Sequence, residues 1–210
     1  MNNVIIATAG HVDHGKTSLI KSLSDQDTDR LPEEKKRKLT IDLGFAGMQL
    51  GENKIGFIDV PGHQDFIKNM VSGVCAVDLI LLVISAEDGW MPQTEEHLQI
   101  ISYLGIKKGI VALTKTDLVK EINFKINSIR KKLDASILAD SEIVPFSSKT
   151  GEGLTDLKNS ILSALKTLPK RKEGGPTRLL VDRSFSLKGM GTIVTGTLTG
   201  NPLLINGSIG

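Results

Sequence analysis

The sequence contains few aromatic residues, a single cysteine and little net charge, and each shortage argues against a class of protein. Aromatic residues make up 4% of the 210-residue chain, with one Trp and one Tyr, which are too few for a platform on which nucleic-acid bases stack. The 26 basic and 24 acidic side chains leave a net charge of +2, which argues against a domain that coats nucleic acid. The lone Cys75 cannot form a disulfide within the chain.

Long apolar runs are also missing. The longest, LILLVISA at 79–86, is much shorter than the roughly 20 residues of a membrane-spanning helix. The N-terminal MNNVIIATAG has neither a basic n-region nor a long apolar h-region, so we expect no signal peptide. These features predict a soluble, cytoplasmic protein.

Short apolar runs alternate with helical patterns over residues 1–168. Leucine and isoleucine recur at three- and four-residue steps within 122–133 and 154–165, as on one face of a helix. This alternation predicts an α/β fold with a mostly parallel, doubly wound sheet and helices on both faces. An edge strand around 43–50 is expected to pair with 54–60 through the turn at 51–53. The predicted buried strands are 4–8, 54–60, 79–85, 109–114 and 142–147.

The character of the sequence changes after residue 168. PKRKEGGP at 169–176 combines a helix-stopping proline with charges and paired glycines, which is typical of a linker. Residues 177–210 are rich in glycine and β-branched residues without helical periodicity, which predicts antiparallel strands. Segments below about 40 residues rarely fold unaided. We therefore expect the start of a second, truncated β domain.

The first predicted strand leads into AGHVDHGKTS at 9–18, which has the spacing of a phosphate-binding loop (P-loop). In such a loop, backbone N–H groups and a helix N-terminus surround the phosphates, so Lys16 is expected at the outer phosphates and Thr17 on Mg²⁺. A zinc site is disfavoured because His11 and His14 lack further ligands nearby, and both histidines are expected to pack or hydrogen-bond at the loop's surface. The predicted nucleotide-binding residues here are Gly10, His11, Val12, Asp13, His14, Gly15, Lys16, Thr17 and Ser18.

Three further polar motifs, DVPGH, TKTD and SSK at 147–149, follow predicted strand ends. In DVPGH at 59–63, Asp59 is expected to hold Mg²⁺ through water, and the Gly62 N–H is expected to point at a γ-phosphate. In TKTD at 114–117, the Asp117 carboxylate can accept the N1–H and N2–H of guanine, a donor pair that adenine lacks. The carboxyl ends of parallel strands share one edge, so the motifs predict a site for GTP/GDP and Mg²⁺. Its predicted base-side residues are Thr114, Lys115, Asp117, Ser147, Ser148 and Lys149.

Several stretches of the sequence resemble those of a known protein family. GHVDHGKTSL, DVPGHQDFIKNM and MPQTEEHL resemble the P-loop GTPase domain of translational elongation factors, and GMGTIVTGTLTG resembles the start of their second, β-barrel domain. Thr114, TDRLPEEKKR and IDLGFA are similar to the selenocysteine-specific elongation factors. The resemblance implies delivery of selenocysteinyl-tRNA to the ribosome at recoded UGA codons. In bacterial members a region beyond this chain reads an mRNA hairpin.

The resemblance also implies roles for individual residues. Residues 27–42 would form switch I, with Thr40 joining Mg²⁺ when the γ-phosphate is present, and 59–70 would form switch II. His63 would be the catalytic residue that positions the attacking water, behind an apolar gate of Val12 and Leu39.

The sequence departs from the family pattern at three places. Lys38-Leu39 replaces Gly-Ile in switch I, Ser148 replaces Ala, and Thr114 replaces the usual Asn, whose amide can form more hydrogen bonds than a hydroxyl. Two alternatives stay open. One is a related translational GTPase of the elongation factor Tu or initiation factor two gamma type, and the other is a P-loop kinase.

Overall fold

The computed structural model of the chain describes residues 2–28, 40–74, 77–169, 175–201 and 203. The Cα positions group into two compact units, Met1–Leu168 and Pro169–Gly210. The predictions made for Leu39, Cys75 and most of switch I lie outside the described residues. No helix within the described part of the chain combines the length and apolar character that a membrane span requires.

The described residues of the first unit contain a six-stranded sheet with the strand order β2-β3-β1-β4-β5-β6. All neighbouring strands are parallel except β2 and β3, which are antiparallel. The strands are β1 Asn2–Ala9, β2 Gly44–Leu50, β3 Asn53–Asp59, β4 Leu79–Ser85, β5 Gly109–Thr114 and β6 Ile143–Pro145. The helices are α1 Lys16–Ser24, α2 Ile67–Val74, α3 Pro92–Tyr103, α4 Ile122–Leu133 and α5 Leu154–Lys166, with short 3-10 helices at Gln64–Phe66 and Thr116–Leu118.

The helices cover both faces of this sheet because each carries one apolar stripe. On one face, α1 and α5 contribute Leu19, Ile20, Leu157 and Ile161 to a buried cluster. On the other, α2, α3 and α4 contribute Met70, Val74, Leu98, Ile101, Ile129 and Leu133. Every residue of β4 is buried, as expected for a parallel strand covered on both sides. The predicted doubly wound α/β fold is confirmed.

The edge hairpin also forms as predicted. Strands β2 and β3 pair from Gly44 opposite Asp59 to Leu50 opposite Asn53. Gly51 begins the turn with a φ of 60°, a left-handed conformation that glycine adopts without steric cost. The register places Asp59, the last residue of β3, beside the first residue of β2.

Within its described residues, the second unit contains two antiparallel strands, β7 Arg178–Leu187 and β8 Gly191–Thr199. The ladder has a register shift between Val181 and Arg183. The large apolar side chains that stay exposed in its described part are Leu180, Val181, Phe185, Leu187, Met190, Val194, Leu198 and Leu203. The predicted antiparallel character of this segment is confirmed.

Candidate functional site

The loop between β1 and α1 is shaped by residues with unusual backbone conformations. Gly10 has a φ of 132°, and a Cβ there would lie 2.2 Å from the Val83 carbonyl oxygen. Gly15 and Asp13 also have positive φ values, 87° and 60°. Helix α1 begins directly afterwards at Lys16. The loop therefore passes close over β4 and presents the N-terminus of α1, which is the arrangement that binds phosphate.

Two side chains of α3 support this loop from behind. The Gly10 N–H donates to His97 Nδ1 at 2.9 Å, and the Val12 N–H donates to Gln93 Oε1 at 3.3 Å. Sequence reasoning missed both supporting residues. The available signal was their spacing within MPQTEEHL, because residues four apart lie on the same face of a helix.

Two histidines at the loop are buried and favour the neutral form. Burial lowers the pKa of His97 to about 3, and the nearby positive charge of Lys16 acts in the same direction. Burial likewise lowers the pKa of His14 to about 4. His14 packs and hydrogen-bonds as predicted, with Nδ1 3.4 Å from the Val83 carbonyl oxygen, but its predicted position at the surface is wrong, because the residue is fully buried. His11 is only partly buried, and its ring meets that of His14 edge-on at 5.0 Å.

Thr114 joins the base-side motif to the phosphate loop. Its hydroxyl lies 2.6 Å from the His14 carbonyl oxygen and 3.3 Å from the Ile84 carbonyl oxygen. A hydroxyl donates one proton, and the shorter contact identifies His14 as its acceptor. Thr114 thus braces the loop through one direct hydrogen bond.

Lys16 lies inside the curl of the loop. Its ammonium donates to the carbonyl oxygens of Gly10 at 3.1 Å and His11 at 2.8 Å. Burial lowers the pKa of Lys16 to about 8, against the opposing effect of the Asp59 carboxylate. A Cβ on Gly62 would lie 2.8 Å from the Val12 backbone nitrogen and 2.4 Å from Lys16 Nζ, so the glycine lets the DVPGH motif approach the loop backbone closely.

The fully buried Asp59 carboxylate accepts hydrogen bonds from hydroxyl groups in three parts of the chain. Thr17 Oγ1 donates to Oδ2 at 2.7 Å, Thr28 Oγ1 donates to Oδ2 at 2.8 Å, and Thr8 Oγ1 donates to Oδ1 at 2.9 Å. Burial raises the pKa of Asp59, and the hydrogen bonds from Thr17 and Thr28 oppose that shift.

The oxygens around Asp59 fit Mg²⁺. Thr17 Oγ1 lies 3.1 Å from Thr40 Oγ1, so the three predicted metal residues, Thr17, Thr40 and Asp59, meet at one point. Mg²⁺ prefers oxygen ligands and is usually held by one or two carboxylates together with substrate phosphates. Among the described residues, no group of three or more His, Cys, Asp or Glu side chains could hold a metal ion.

The base-side residues form a second group at the ends of β5 and β6. Ser147 Oγ donates to Asp117 Oδ1 at 2.6 Å, and the same Oγ accepts from the Lys149 N–H at 3.3 Å. Lys115 has a left-handed backbone with φ of 56°, and its Nζ lies 3.5 Å from Asp88 Oδ2. Asp117 is exposed while Ser147 is buried, so the buried serine sets the direction of an accessible carboxylate. Ser148, the next residue in the chain after Ser147, is exposed.

Two other predicted site residues, His63 and Ser18, are at least partly exposed. His63 follows β3, its side chain is 36% exposed, and Nδ1 lies 3.3 Å from Asp65 Oδ2. Its ring packs against Phe66 at 6.1 Å. Ser18 is exposed on α1, where its carbonyl accepts the hydroxyl of Ser22.

Comparison with known proteins identifies the family of the first unit. The family model of the elongation factor Tu GTP binding domain matches residues 1–167. A selenocysteine-specific elongation factor of Desulfomicrobium baculatum is 52% identical over 197 residues, which cover 92% of this chain and 31% of that protein. The selenocysteine-specific elongation factor of Escherichia coli is 40% identical over 213 residues, covering 98% of this chain and 34% of that protein. The resemblance stated from the motifs is confirmed.

Solved structures agree with these matches. The chain superposes on a bacterial selenocysteine-specific elongation factor with a TM-score of 0.85 at 44% identity, covering 96% of this chain and 35% of that one. It also superposes on the elongation factor SelB of Methanococcus maripaludis in complex with the GTP analogue GppNHp, with a TM-score of 0.83 at 34% identity, covering 96% and 42% of the two chains. The chain thus spans about a third of the length of the curated relatives it matches.

Proposed function

The chain belongs to the family of elongation factor Tu GTP-binding domains, and we propose that it binds GTP with Mg²⁺, hydrolyses the nucleotide and works in the cytoplasm within a selenocysteine-specific elongation factor. The main observation in support of this proposal is that the residues following separate strands lie together at the carboxyl edge of the sheet. Thr17 and Asp59 meet at 2.7 Å on the phosphate side, and Asp117 and Ser147 meet at 2.6 Å on the base side. Thr114 joins the two sides through the His14 carbonyl.

The phosphate side supplies binding and charge stabilisation. The loop amides and the α1 N-terminus bind the phosphates, while Lys16 neutralises their outer charge. Thr17, Thr40 and Asp59 would hold Mg²⁺, which supplies further neutralisation of the phosphate charge when bound. We assign Gly62 to the terminal phosphate through its N–H, and His63 to positioning the attacking water.

The residues on the base side determine the selectivity for guanine over adenine nucleotides. An ionised Asp117 accepts hydrogen bonds only, so it matches the paired N1–H and N2–H donors of guanine. The Ser147 hydroxyl occupies Oδ1 and orients the carboxylate. Lys115 lies beside this group with its stem available to the base.

The macromolecular partners follow from the relatives. The names of the matching proteins and the Thr114, TDRLPEEKKR and IDLGFA signature support delivery of selenocysteinyl-tRNA to the ribosome at recoded UGA codons. An mRNA hairpin, if the protein is bacterial, would be read outside this chain. We assign 1–168 to the GTPase domain, 169–176 to a linker and 177–210 to the first part of a β-barrel domain.

Nucleotide competition tests the proposed site. Labelled GDP bound to the chain should be displaced by GTP and left in place by ATP, because adenine lacks the donors that Asp117 requires. Asp117→Asn should weaken GTP binding and admit xanthosine nucleotides, since an amide reverses one donor–acceptor pair. Asp134→Asn, at an exposed acid that ends α4, is the matched control. Equal displacement by ATP would favour a kinase instead.

The tRNA assignment needs the longer protein. A pull-down with the full-length factor should retain selenocysteinyl-tRNA in preference to seryl-tRNA when GTP is present. Equal retention of both tRNAs would refute the assignment while leaving the nucleotide site intact.

A further inference from the structure

Thr28 is a buried polar residue that the proposed function has not used. It lies four positions after the end of α1 and is 2% exposed. Its hydroxyl donates to Asp59 Oδ2 at 2.8 Å across 31 residues of sequence. The Thr28 hydroxyl is therefore buried and bonded to the carboxylate that is proposed to hold Mg²⁺, which suggests that it has a function there.

Close packing defines the position of Thr28. Gly44 pairs with Asp59 across β2 and β3, and a Cβ on Gly44 would lie 2.7 Å from Thr28 Cβ and 3.1 Å from the Thr28 carbonyl oxygen. Gln26 Oε1 accepts the Gly47 N–H at 3.0 Å, which ties the same stretch to β2. The hydroxyl is therefore delivered to Asp59 by a segment docked against the sheet edge.

The three threonine hydroxyls that donate to Asp59 differ in their other contacts and proposed roles. The Thr17 hydroxyl is itself a proposed Mg²⁺ ligand. The Thr8 hydroxyl donates to the opposite carboxylate oxygen and accepts the Val60 N–H at 3.2 Å. Thr28 is the described donor to Oδ2 that lies outside the proposed ligand set, so it can orient that oxygen without competing for the metal.

We propose that Thr28 is a positioning residue for the magnesium site, holding the Asp59 carboxylate in the orientation that the metal requires. This inference rests on the proposed function, since it needs Asp59 to serve Mg²⁺. Partners that orient a metal-binding group from behind commonly change metal affinity by about 10–100-fold when they are removed. The role predicts an effect on Mg²⁺ affinity that is separable from nucleotide binding itself.

The test uses the 210-residue chain loaded with fluorescent GDP. Release of GDP is followed over a series of free Mg²⁺ concentrations and in EDTA. Thr28→Val keeps the branched shape and removes the donor, and it should raise the Mg²⁺ concentration for half-maximal retention about tenfold. Its release rate in EDTA should equal that of the wild type, and Thr28→Ser, which keeps the hydroxyl, should stay within about twofold of the wild-type midpoint.

Thr94→Val is the matched control. Thr94 is fully buried, and within the described structure its hydroxyl has no hydrogen-bond partner, so this substitution should leave the Mg²⁺ midpoint unchanged. If Thr28→Val does not fold, Thr28→Ala, which only removes atoms, takes the same test with the same expected shift.

Two results would overturn the inference alone. One is a wild-type Mg²⁺ midpoint in Thr28→Val, and the other is GDP release accelerated equally with Mg²⁺ and in EDTA, which would indicate a structural role. A wild-type chain that binds no GDP, or releases it identically with Mg²⁺ and with EDTA, would instead refute the proposed function and this inference with it.

Discussion

His97 should make the stability of the α/β unit depend on pH between 7 and 5. Its ring is 1% exposed, accepts the Gly10 N–H through Nδ1 and has a pKa lowered to about 3. The positive charge of Lys16 and, when protonated, of His11 also disfavours its charged form. In the unfolded chain, His97 therefore binds a proton below its ordinary pKa of 6.5. In the folded chain, the His97 ring stays neutral down to about pH 3.

The size of the effect follows from this difference in proton binding. Stability falls with decreasing pH wherever the unfolded state binds more protons, and for His97 the loss between pH 7 and 5 amounts to about 2 kcal/mol. His14, whose pKa is lowered to about 4, adds a loss of about the same size. Asp59, with its raised pKa, contributes in the opposite direction as the pH approaches its titration range.

The substitution His97→Gln separates the contribution of His97 to the pH dependence of stability from the contributions of His14 and Asp59. Glutamine does not titrate, and its amide oxygen can still accept the Gly10 N–H. Urea unfolding at pH 7 and pH 5, followed by circular dichroism at 222 nm, reports the α/β unit because the helices of the described residues all lie in it. The variant should lose about 2 kcal/mol less than the wild type over this range. Equal losses in both proteins would show that His97 is not held neutral by burial.

Three further substitutions test the remaining contacts. Thr114→Val keeps the side-chain shape and removes the donor to the His14 carbonyl, so urea unfolding should show a loss of about 1 kcal/mol and labelled GDP should be released faster. Gly62→Ala places a methyl 2.8 Å from the Val12 backbone nitrogen and 2.4 Å from Lys16 Nζ, and calorimetry should show GTP binding weakened by about 1–3 kcal/mol. His63→Ala in the full-length factor should slow ribosome-stimulated GTP hydrolysis about a hundredfold while leaving GTP affinity nearly intact.

Each of these expectations has a contrary outcome. Wild-type stability and GDP release in Thr114→Val would mean that its short hydrogen bond contributes nothing to the loop. Unchanged GTP affinity in Gly62→Ala would place the DVPGH loop away from Lys16. A large loss of GTP affinity with normal turnover in His63→Ala would make His63 a binding residue.

The amino-acid sequence alone was sufficient to predict the fold class and the edge of the sheet at which the proposed nucleotide-binding motifs lie. The apolar runs and helical periodicities are local patterns, and in a parallel sheet the motifs that follow strand ends share one edge. Lys16, Asp59 and Asp117 each belong to such a motif. Their convergence followed from the topology, and the edge hairpin followed from the alternation and turn at 51–53.

Tertiary structure decided which residues support these contacts. His97 meets Gly10 across 87 residues, and Thr28 meets Asp59 across 31 residues. A histidine on a helix and a threonine after one carry no local mark of the partner they will face. Burial is likewise a property of the packed chain, which is why His14, expected at the surface, lies in the interior. The partners and the burial of these polar groups depend on how distant segments pack together, whereas local patterns determine only the segments themselves.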